Sequence, residues 1–194
     1  MKRLCVFLGS STGDRPEHAA MARDLAREMT RRSLDLVYGG GHVGLMGVLA
    51  DDLLAAGREV IGVIPQGLAA REVAHKELTE LHVVDTMHAR KALMAAQADA
   101  FLALPGGFGT LEEFFEVLTW LQLGIHGKPC GLLNGTGYFT GLLAFLDHVV
   151  DEGFARAGHR DLIHVGDTPA AILDKLTAAP PARGPDWITE PLRP

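Results

Sequence analysis

Short apolar runs alternate with amphipathic segments of ten or more residues along most of the chain. Parallel strands need long crossover connections, so this alternation predicts a parallel sheet that helices cover on both faces. We therefore predict a single doubly wound, Rossmann-like α/β domain over residues 1–177, followed by a proline-rich C-terminal tail over 178–194. The predicted strands are 2–8, 34–38, 59–64, 78–84, 100–104, 130–133 and 163–165. The predicted helices are 16–32, 45–56, 86–96, 110–123, 138–150 and 169–176, with a loop and a short helical turn in 67–77.

Charge and cysteine content narrow the class of protein. The formal net charge is −6 and the lysines and arginines are dispersed, which argues against binding a nucleic-acid polymer. Cys5 and Cys130 both lie in apolar runs, where a buried thiol is more common than a disulfide or a metal ligand. The first apolar run is too short for a signal peptide, and no segment has the length of a membrane span. We expect a soluble, cytoplasmic protein with no membrane partner.

The segments that follow the predicted strands carry most of the glycines and hydroxyl side chains. In a doubly wound sheet these segments all lie at one edge, and ligands bind there where the strand order reverses. We expect five of them to converge on one crevice. They are GSST at 9–12, GGGHVG at 39–44, PQG at 65–67, the turn before MHARK at 87–91, and PGGFGT at 105–110.

The stretch LPGGFGTLEEFFEVLTW, at 104–120, combines a strand end, a glycine turn and a helix start. The glycines leave backbone amides free at a positive helix end, which suits an anion such as a phosphate. A second interpretation is structural, because Thr110 and Glu113 have the spacing of a capping box. The spacing alone leaves both interpretations open, but a plain cap needs no PGGxG before it.

The segment from Gly39 to Gly44 satisfies GxGxxG, the pattern of dinucleotide-binding loops. It follows the second predicted strand rather than the first, and the acidic residue twenty positions later, Glu59, begins a strand instead of ending one. We therefore favour a tight turn that lets a phosphate or a neighbouring loop approach closely over an NAD site.

Arg90 and Lys91 lie about one turn after the predicted helix cap at Asp85 or Thr86. The helix dipole disfavours cations at that end, so an anionic partner is expected. The candidates are a ligand phosphate and Glu113 across the crevice.

The helix over 110–123 carries its carboxylates and several bulky side chains on the same side. Glu112, Glu113, Glu116 and Thr119 share one face with Trp120 and Leu123. We infer that a second subunit covers this face, with the crevice between the two copies. The nine histidines give no convincing metal set, since His75, His82 and His88 have irregular spacing.

These motifs resemble those of one family. PGGFGTLEE at 105–113 matches a PGGxGTxxE signature, and GGGHVGLMG at 39–47, MHARKALM at 87–94 and TWLQLGIHGKP at 119–129 stand in the expected order. On these motifs the chain resembles the Lonely Guy (LOG) family of cytokinin riboside 5′-monophosphate phosphoribohydrolases, also labelled lysine decarboxylase-like. The resemblance covers residues 1–177.

The resemblance implies a homodimer, without a cofactor or metal, that hydrolyses the N-glycosidic bond of a cytokinin riboside 5′-monophosphate or of AMP. The products are the free base and ribose 5-phosphate. Arg90 and Glu113 would form the catalytic pair. The implied substrate-binding residues are Glu72, Arg90, Lys91, Gly106, Gly107, Phe108, Gly109, Thr110, Leu111, Glu112, Glu113 and Thr119.

Two other functions stay open from the sequence. One is a nucleotide-binding sensor or scaffold without turnover. The other is a pyridoxal-phosphate decarboxylase, for which Lys91 is the lysine in a suitable place to form a Schiff base. The sequence does not discriminate a cytokinin precursor from AMP as the substrate.

Overall fold

A computed structural model describes residues 1–69 and 74–180 of the chain. Its centre is one sheet of seven parallel strands in the order β4-β3-β2-β1-β5-β6-β7. The strands are β1 Arg3–Phe7, β2 Asp35–Tyr38, β3 Val60–Pro65, β4 Glu80–Val84, β5 Ala100–Ala103, β6 Cys130–Leu133 and β7 Ile163–Gly166. The predicted doubly wound α/β domain is thereby confirmed.

Helices cover both faces of the sheet. They are α1 Pro16–Arg31, α2 Gly44–Ala55, α3 Gln66–Ala69, α4 Met87–Gln97, α5 Phe108–Gln122, α6 Thr140–Asp151, α7 Ala157–Arg160 and α8 Pro169–Ala178. Successive residues of β1 point to opposite faces, so Leu4 and Val6 pack with α1, α2 and α8, whereas Cys5 and Phe7 pack with α4, α5 and α6. Two separate apolar cores result, one on each face of the central strands.

The strand order reverses at β1, which pairs with β2 on one side and β5 on the other. The loops after β1 and β5 therefore leave the sheet in opposite directions and open a crevice between them. Hydrogen bonds fix this crevice: the Gly9 amide donates to the Pro105 carbonyl at 3.0 Å, and the Leu45 amide donates to the Gly9 carbonyl at 3.0 Å.

The predicted elements agree with the structure to within a few residues at their ends. The prediction omitted α7, a single helical turn, because four residues are too few to show a helical period. Cys5 and Cys130 are buried free thiols, as predicted, and burial raises the pKa of both. No helix within residues 1–69 and 74–180 is long and apolar enough to cross a membrane. The predicted tail lies mostly outside the described residues, as does Glu72.

Candidate active site

Helix α5 begins two residues earlier than predicted, and this changes the interpretation of its first turn. Gly107 is the N-cap and no side chain caps the helix, because the cap residue is a glycine. Thr110 is buried inside the first turn, against Gly106, where a side chain at position 106 would overlap it. The capping-box interpretation of Thr110 and Glu113 is therefore wrong. The exposed residues from Gly107 to Gly109 leave a positive helix end open toward the crevice.

Arg90 is held by the ends of two strands and faces the start of α5. Its Nε donates to the Val63 carbonyl at 3.0 Å, and its Nη2 donates to the Gly39 carbonyl at 3.2 Å. Its Nη1 lies 3.4 Å from Oε1 of Glu113. Both side chains are largely buried, so this charge pair is screened less than a surface pair. The predicted pairing of Arg90 with Glu113 across the crevice is present.

Lys91 is the neighbour of Arg90 and binds two other carboxylates of α5. Its Nζ lies 2.6 Å from Oε1 of Glu112 and 2.9 Å from Oε1 of Glu116. Burial by itself would lower the pKa of Lys91, but the hydrogen bonds from the two carboxylates outweigh it, and the pKa is raised above its ordinary value. Lys91 is therefore a charged link between α4 and α5.

Two adjacent cavities lie in the crevice, and we name each after one of its residues. The Glu113 cavity, of about 250 Å³, is lined by Leu8, Ser10, Met46, Arg90, Gly107, Phe108, Gly109, Thr110 and Glu113. The His18 cavity, of about 230 Å³, is lined by residues 9–13 and by His18, Leu45, Pro105, Gly106, Gly107 and Tyr138. Ser10 and Gly107 belong to both cavities, so a ligand can extend from one into the other.

Most of the predicted site residues meet in or beside these cavities. Arg90, Gly107, Phe108, Gly109, Thr110 and Glu113 line the Glu113 cavity, and Gly106 lines the His18 cavity. Lys91 and Glu112 form an ion pair next to the Arg90–Glu113 pair but line neither cavity. Leu111 packs on the apolar core, and Glu72 lies outside the described residues.

Thr119 lies elsewhere, in a cleft between α5 and α6, where its hydroxyl donates to the Phe115 carbonyl at 2.7 Å. Sequence reasoning did not single out Leu8, Met46, His18 or Tyr138 as site residues. No sequence pattern marks them, since they reach the crevice from four different elements.

The glycines of the segment 39–44 serve close packing within the chain. A Cβ at Gly39 would overlap the guanidinium of Arg90, and a Cβ at Gly44 would overlap the backbone of Ser10. Gly44 also has a φ of +61°, which favours glycine. The GxGxxG pattern is thus a tight turn that a neighbouring loop approaches, as predicted.

One cluster of possible metal ligands lies away from these cavities. Asp51 Oδ1 is 2.7 Å from Nε2 of His75, and Asp51 Oδ2 is 3.4 Å from Nε2 of His42. However, Nδ1 of His75 accepts the amide of Glu77 at 3.1 Å, so a neutral His75 ring carries its proton on Nε2 and donates it to Asp51. That proton occupies the position a metal would need. We interpret the cluster as a structural link between α2 and the segment after β3.

The fold and this crevice define a class: a Rossmann-like domain whose cleft combines an open helix N-terminus with a buried guanidinium–carboxylate pair. A family described as possible lysine decarboxylase matches residues 46–176, which is more than half of the chain. The chain therefore belongs to this family, which is the LOG family that the motifs predicted.

Individual relatives agree with this assignment. A probable cytokinin riboside 5′-monophosphate phosphoribohydrolase of Oryza sativa subsp. japonica, LOGL3, is 49% identical over 97% of this chain and 92% of its own length. The cytokinin riboside 5′-monophosphate phosphoribohydrolase LOG7 of Arabidopsis thaliana is 54% identical over 84% of this chain and 75% of its own length.

Solved structures also share the fold. The molybdenum cofactor carrier protein of Chlamydomonas reinhardtii has a TM-score of 0.68 at 23% identity, covering 92% of this chain and 99% of its own. At that identity the likeness concerns the fold alone.

Proposed function

We propose that this chain hydrolyses the N-glycosidic bond of an adenine-type nucleoside 5′-monophosphate and releases the free base and ribose 5-phosphate. The observation that carries the proposal is the position of Glu113. It lies largely buried, 3.4 Å from Arg90, in a cavity that also contains the open N-terminus of α5. Relatives that are about half identical to this chain over most of its length are named for this reaction.

The chemistry follows from the charge that develops on the sugar. Cleavage of the bond between C1′ and the base nitrogen builds oxocarbenium character on the ribose. The Glu113 carboxylate would stabilise this positive charge, bind the ribose hydroxyls and orient the attacking water. Arg90 would hold Glu113 in place and balance its charge before the substrate enters. The positive end of α5 would attract the anionic part of the substrate.

A decarboxylase of the pyridoxal-phosphate type fits the site less well. A Schiff-base lysine must react as a neutral amine, usually with a lowered pKa. Lys91 has the opposite environment, because two carboxylates at 2.6 and 2.9 Å stabilise its charged form and raise its pKa. We therefore give Lys91 the role of holding α4 against α5.

We further propose that the working form is a homodimer whose copies meet over α5 and α6. Helix α6 has no buried residue within the described chain, although six of its twelve residues are large and apolar. Phe145 is 60% exposed. The cleft between α5 and α6 is lined by Phe115, Leu118, Leu146, Val149 and Val150 together with Thr119. A second copy would bury these apolar side chains and bring Thr119 next to the partner's substrate.

The direct test is turnover. The purified protein is incubated with isopentenyladenosine monophosphate, with AMP and, as a control, with each unphosphorylated nucleoside. We expect free base and ribose 5-phosphate in equal amounts from at least one nucleotide, and the ratio between the two nucleotides identifies the preferred substrate. Tight binding of a nucleotide without release of base would reject the proposal and favour a sensor or scaffold.

We place the reaction in the cytoplasm, where Cys5 and Cys130 would stay reduced.

A further inference from the structure

We propose that the His18 cavity holds the 5′-phosphate of the substrate and that Nε2 of His18 is a hydrogen-bond donor to it. The inference rests on the proposed function, which places a nucleoside 5′-monophosphate in the crevice. It adds a specificity-determining residue, His18, that lies outside the PGGxGTxxE signature.

The first step is where the sugar must lie. Glu113 can act on C1′ only if the ribose occupies the Glu113 cavity. The phosphate is attached through O5′ to C5′ of the same ribose, so it must occupy a space next to the Glu113 cavity. The His18 cavity is adjacent, because the two cavities share Ser10 and Gly107.

The second step concerns charge. A phosphate dianion inside the Glu113 cavity would lie beside a carboxylate whose counter-charge, Arg90, is already engaged at 3.4 Å. The lining of the His18 cavity contains no carboxylate. It instead contains the side chains of Ser10, Ser11 and Thr12. The Thr12 hydroxyl donates to the Gly13 carbonyl at 3.3 Å, whereas the Ser11 hydroxyl accepts from the Gly13 amide at 3.2 Å and can itself donate to an anion. The starts of three helices, α1, α2 and α5, also contribute residues to its wall, and helix N-termini favour anions.

The third step is the state of the His18 side chain. His18 is only 7% exposed, and its Nδ1 is enclosed without a hydrogen-bond partner in the described part of the chain. A proton on Nδ1 would be a buried donor with nothing to bind, which costs more than an unused lone pair. The proton therefore belongs on Nε2. Among the described residues, Nε2 is not one of the enclosed atoms without a partner, and its side of the ring faces the turn at Gly13.

The fourth step is that the surroundings fix the ring in this position. The edge of His18 packs on Tyr138, with ring centroids 5.8 Å apart and planes at 83°. The Tyr138 hydroxyl donates to the Gly106 carbonyl at 2.5 Å, so the same wall is joined to the loop before α5. Gly13, with a φ of +69°, lets the loop turn over the ring. His18 is thus a preorganised donor, which a phosphate can use without an ordering cost.

The test uses two substitutions of one residue. His18→Phe keeps the ring shape and removes both nitrogens, whereas His18→Gln restores an N–H donor near the position of Nε2. We expect His18→Phe to lower kcat/KM for the nucleoside 5′-monophosphate about tenfold to hundredfold. His18→Gln should recover much of the loss. His164→Phe, on strand β7 away from both cavities, is the matched control.

A binding measurement separates this proposal from the proposed function. Calorimetry compares the binding of ribose 5-phosphate with the binding of ribose. We expect His18→Phe to weaken the binding of ribose 5-phosphate about tenfold to hundredfold and to leave the binding of ribose unchanged. If no nucleotide releases its base, the proposed function fails, but this measurement still decides the role of His18. An unchanged preference for the phosphorylated ligand in His18→Phe, in a variant that keeps the wild-type melting temperature, would overturn the inference. A changed preference between bases with phosphate recognition intact would also overturn it and would place the base in this cavity.

Discussion

Two neighbouring cations on α4 bind carboxylates on the same partner helix, yet they do so in different surroundings. Arg90 faces Glu113 inside a cavity of about 250 Å³. Lys91 lies between Glu112 and Glu116, and neither it nor they line that cavity. Since both pairs join α4 to α5, ion pairing by itself does not identify a catalytic residue. The two pairs differ in that only Arg90 and Glu113 line the cavity.

The distances and contacts separate the two pairs further. Lys91 makes close contacts of 2.6 and 2.9 Å with its carboxylates, which suit a permanent link between helices. The Arg90–Glu113 contact is longer, at 3.4 Å, and Arg90 is fixed mainly by the Val63 and Gly39 carbonyls. Arg90 therefore lies in a fixed position beside the Glu113 carboxylate. Glu113 also lines the cavity, so a sugar bound there would contact it.

The largest expected effect comes from Glu113→Gln, which removes the charge from the cavity and keeps the shape of the side chain. We expect turnover to fall at least about 10³-fold, because the developing positive charge on the ribose loses its stabilising carboxylate. The oligomeric state should persist, and the melting temperature should fall less than in Arg90→Ala, because Arg90 keeps its hydrogen bonds to the Val63 and Gly39 carbonyls. Base release is measured by chromatography and stability by calorimetry. A stability loss with a normal rate would assign Glu113 a structural role.

Arg90→Ala should weaken both substrate binding and turnover, by about 10²-fold in kcat/KM. It also leaves Glu113 without its buried counter-charge and the Val63 and Gly39 carbonyls without a donor. We therefore expect a loss of about 3 kcal/mol in the free energy of unfolding, unlike Glu113→Gln. Denaturant titration and steady-state kinetics measure the two effects. Kinetics equal to wild type would remove Arg90 from the active site.

Gly39→Ala tests the guanidinium position without touching a charge. The added Cβ would overlap Nη2 of Arg90, so the guanidinium must move from its position beside Glu113. We expect a decrease in turnover of about tenfold, because a small displacement of a positioning group is costly in catalysis. The matched control is Gly158→Ala in α7, where a Cβ would meet no atom within 4 Å. Equal activity in the two variants would show that the Arg90 position is not critical.

The fold could be predicted from the sequence because its signals are local. Most strands are largely apolar runs of four to six residues between helical segments, and this alternation predicts a parallel sheet. An anionic partner for Arg90 was also predictable, because a cation near a helix start needs an anion, and Glu113 was one of the two candidates. The first residue of α5 was not predictable from the sequence. A threonine followed three residues later by a glutamate has the same spacing whether the threonine caps the helix or lies inside its first turn. The different surroundings of Arg90 and Lys91 were not predictable either, because they depend on which carboxylates of α5 line the cavity.

Lys91→Met should have the smallest effect on the reaction and so provides the sharpest contrast with Arg90. Methionine keeps most of the unbranched side chain, but Glu112 and Glu116 lose their shared cation. We expect a destabilisation of about 2 kcal/mol at neutral pH and a change in turnover of less than about threefold.

The pH dependence of that destabilisation has a defined sign. The pKa of Lys91 is raised in the folded protein, so its contribution to stability is complete below the ordinary lysine pKa, 10.5, and is lost as the pH rises through the higher folded value. The difference in unfolding free energy between wild type and Lys91→Met should therefore be constant from about pH 7 to 9 and shrink above pH 10.5. Denaturant titrations across this range measure it. A loss of turnover as large as that of Arg90→Ala would instead mean that Lys91 contacts the substrate and that the two pairs share one function.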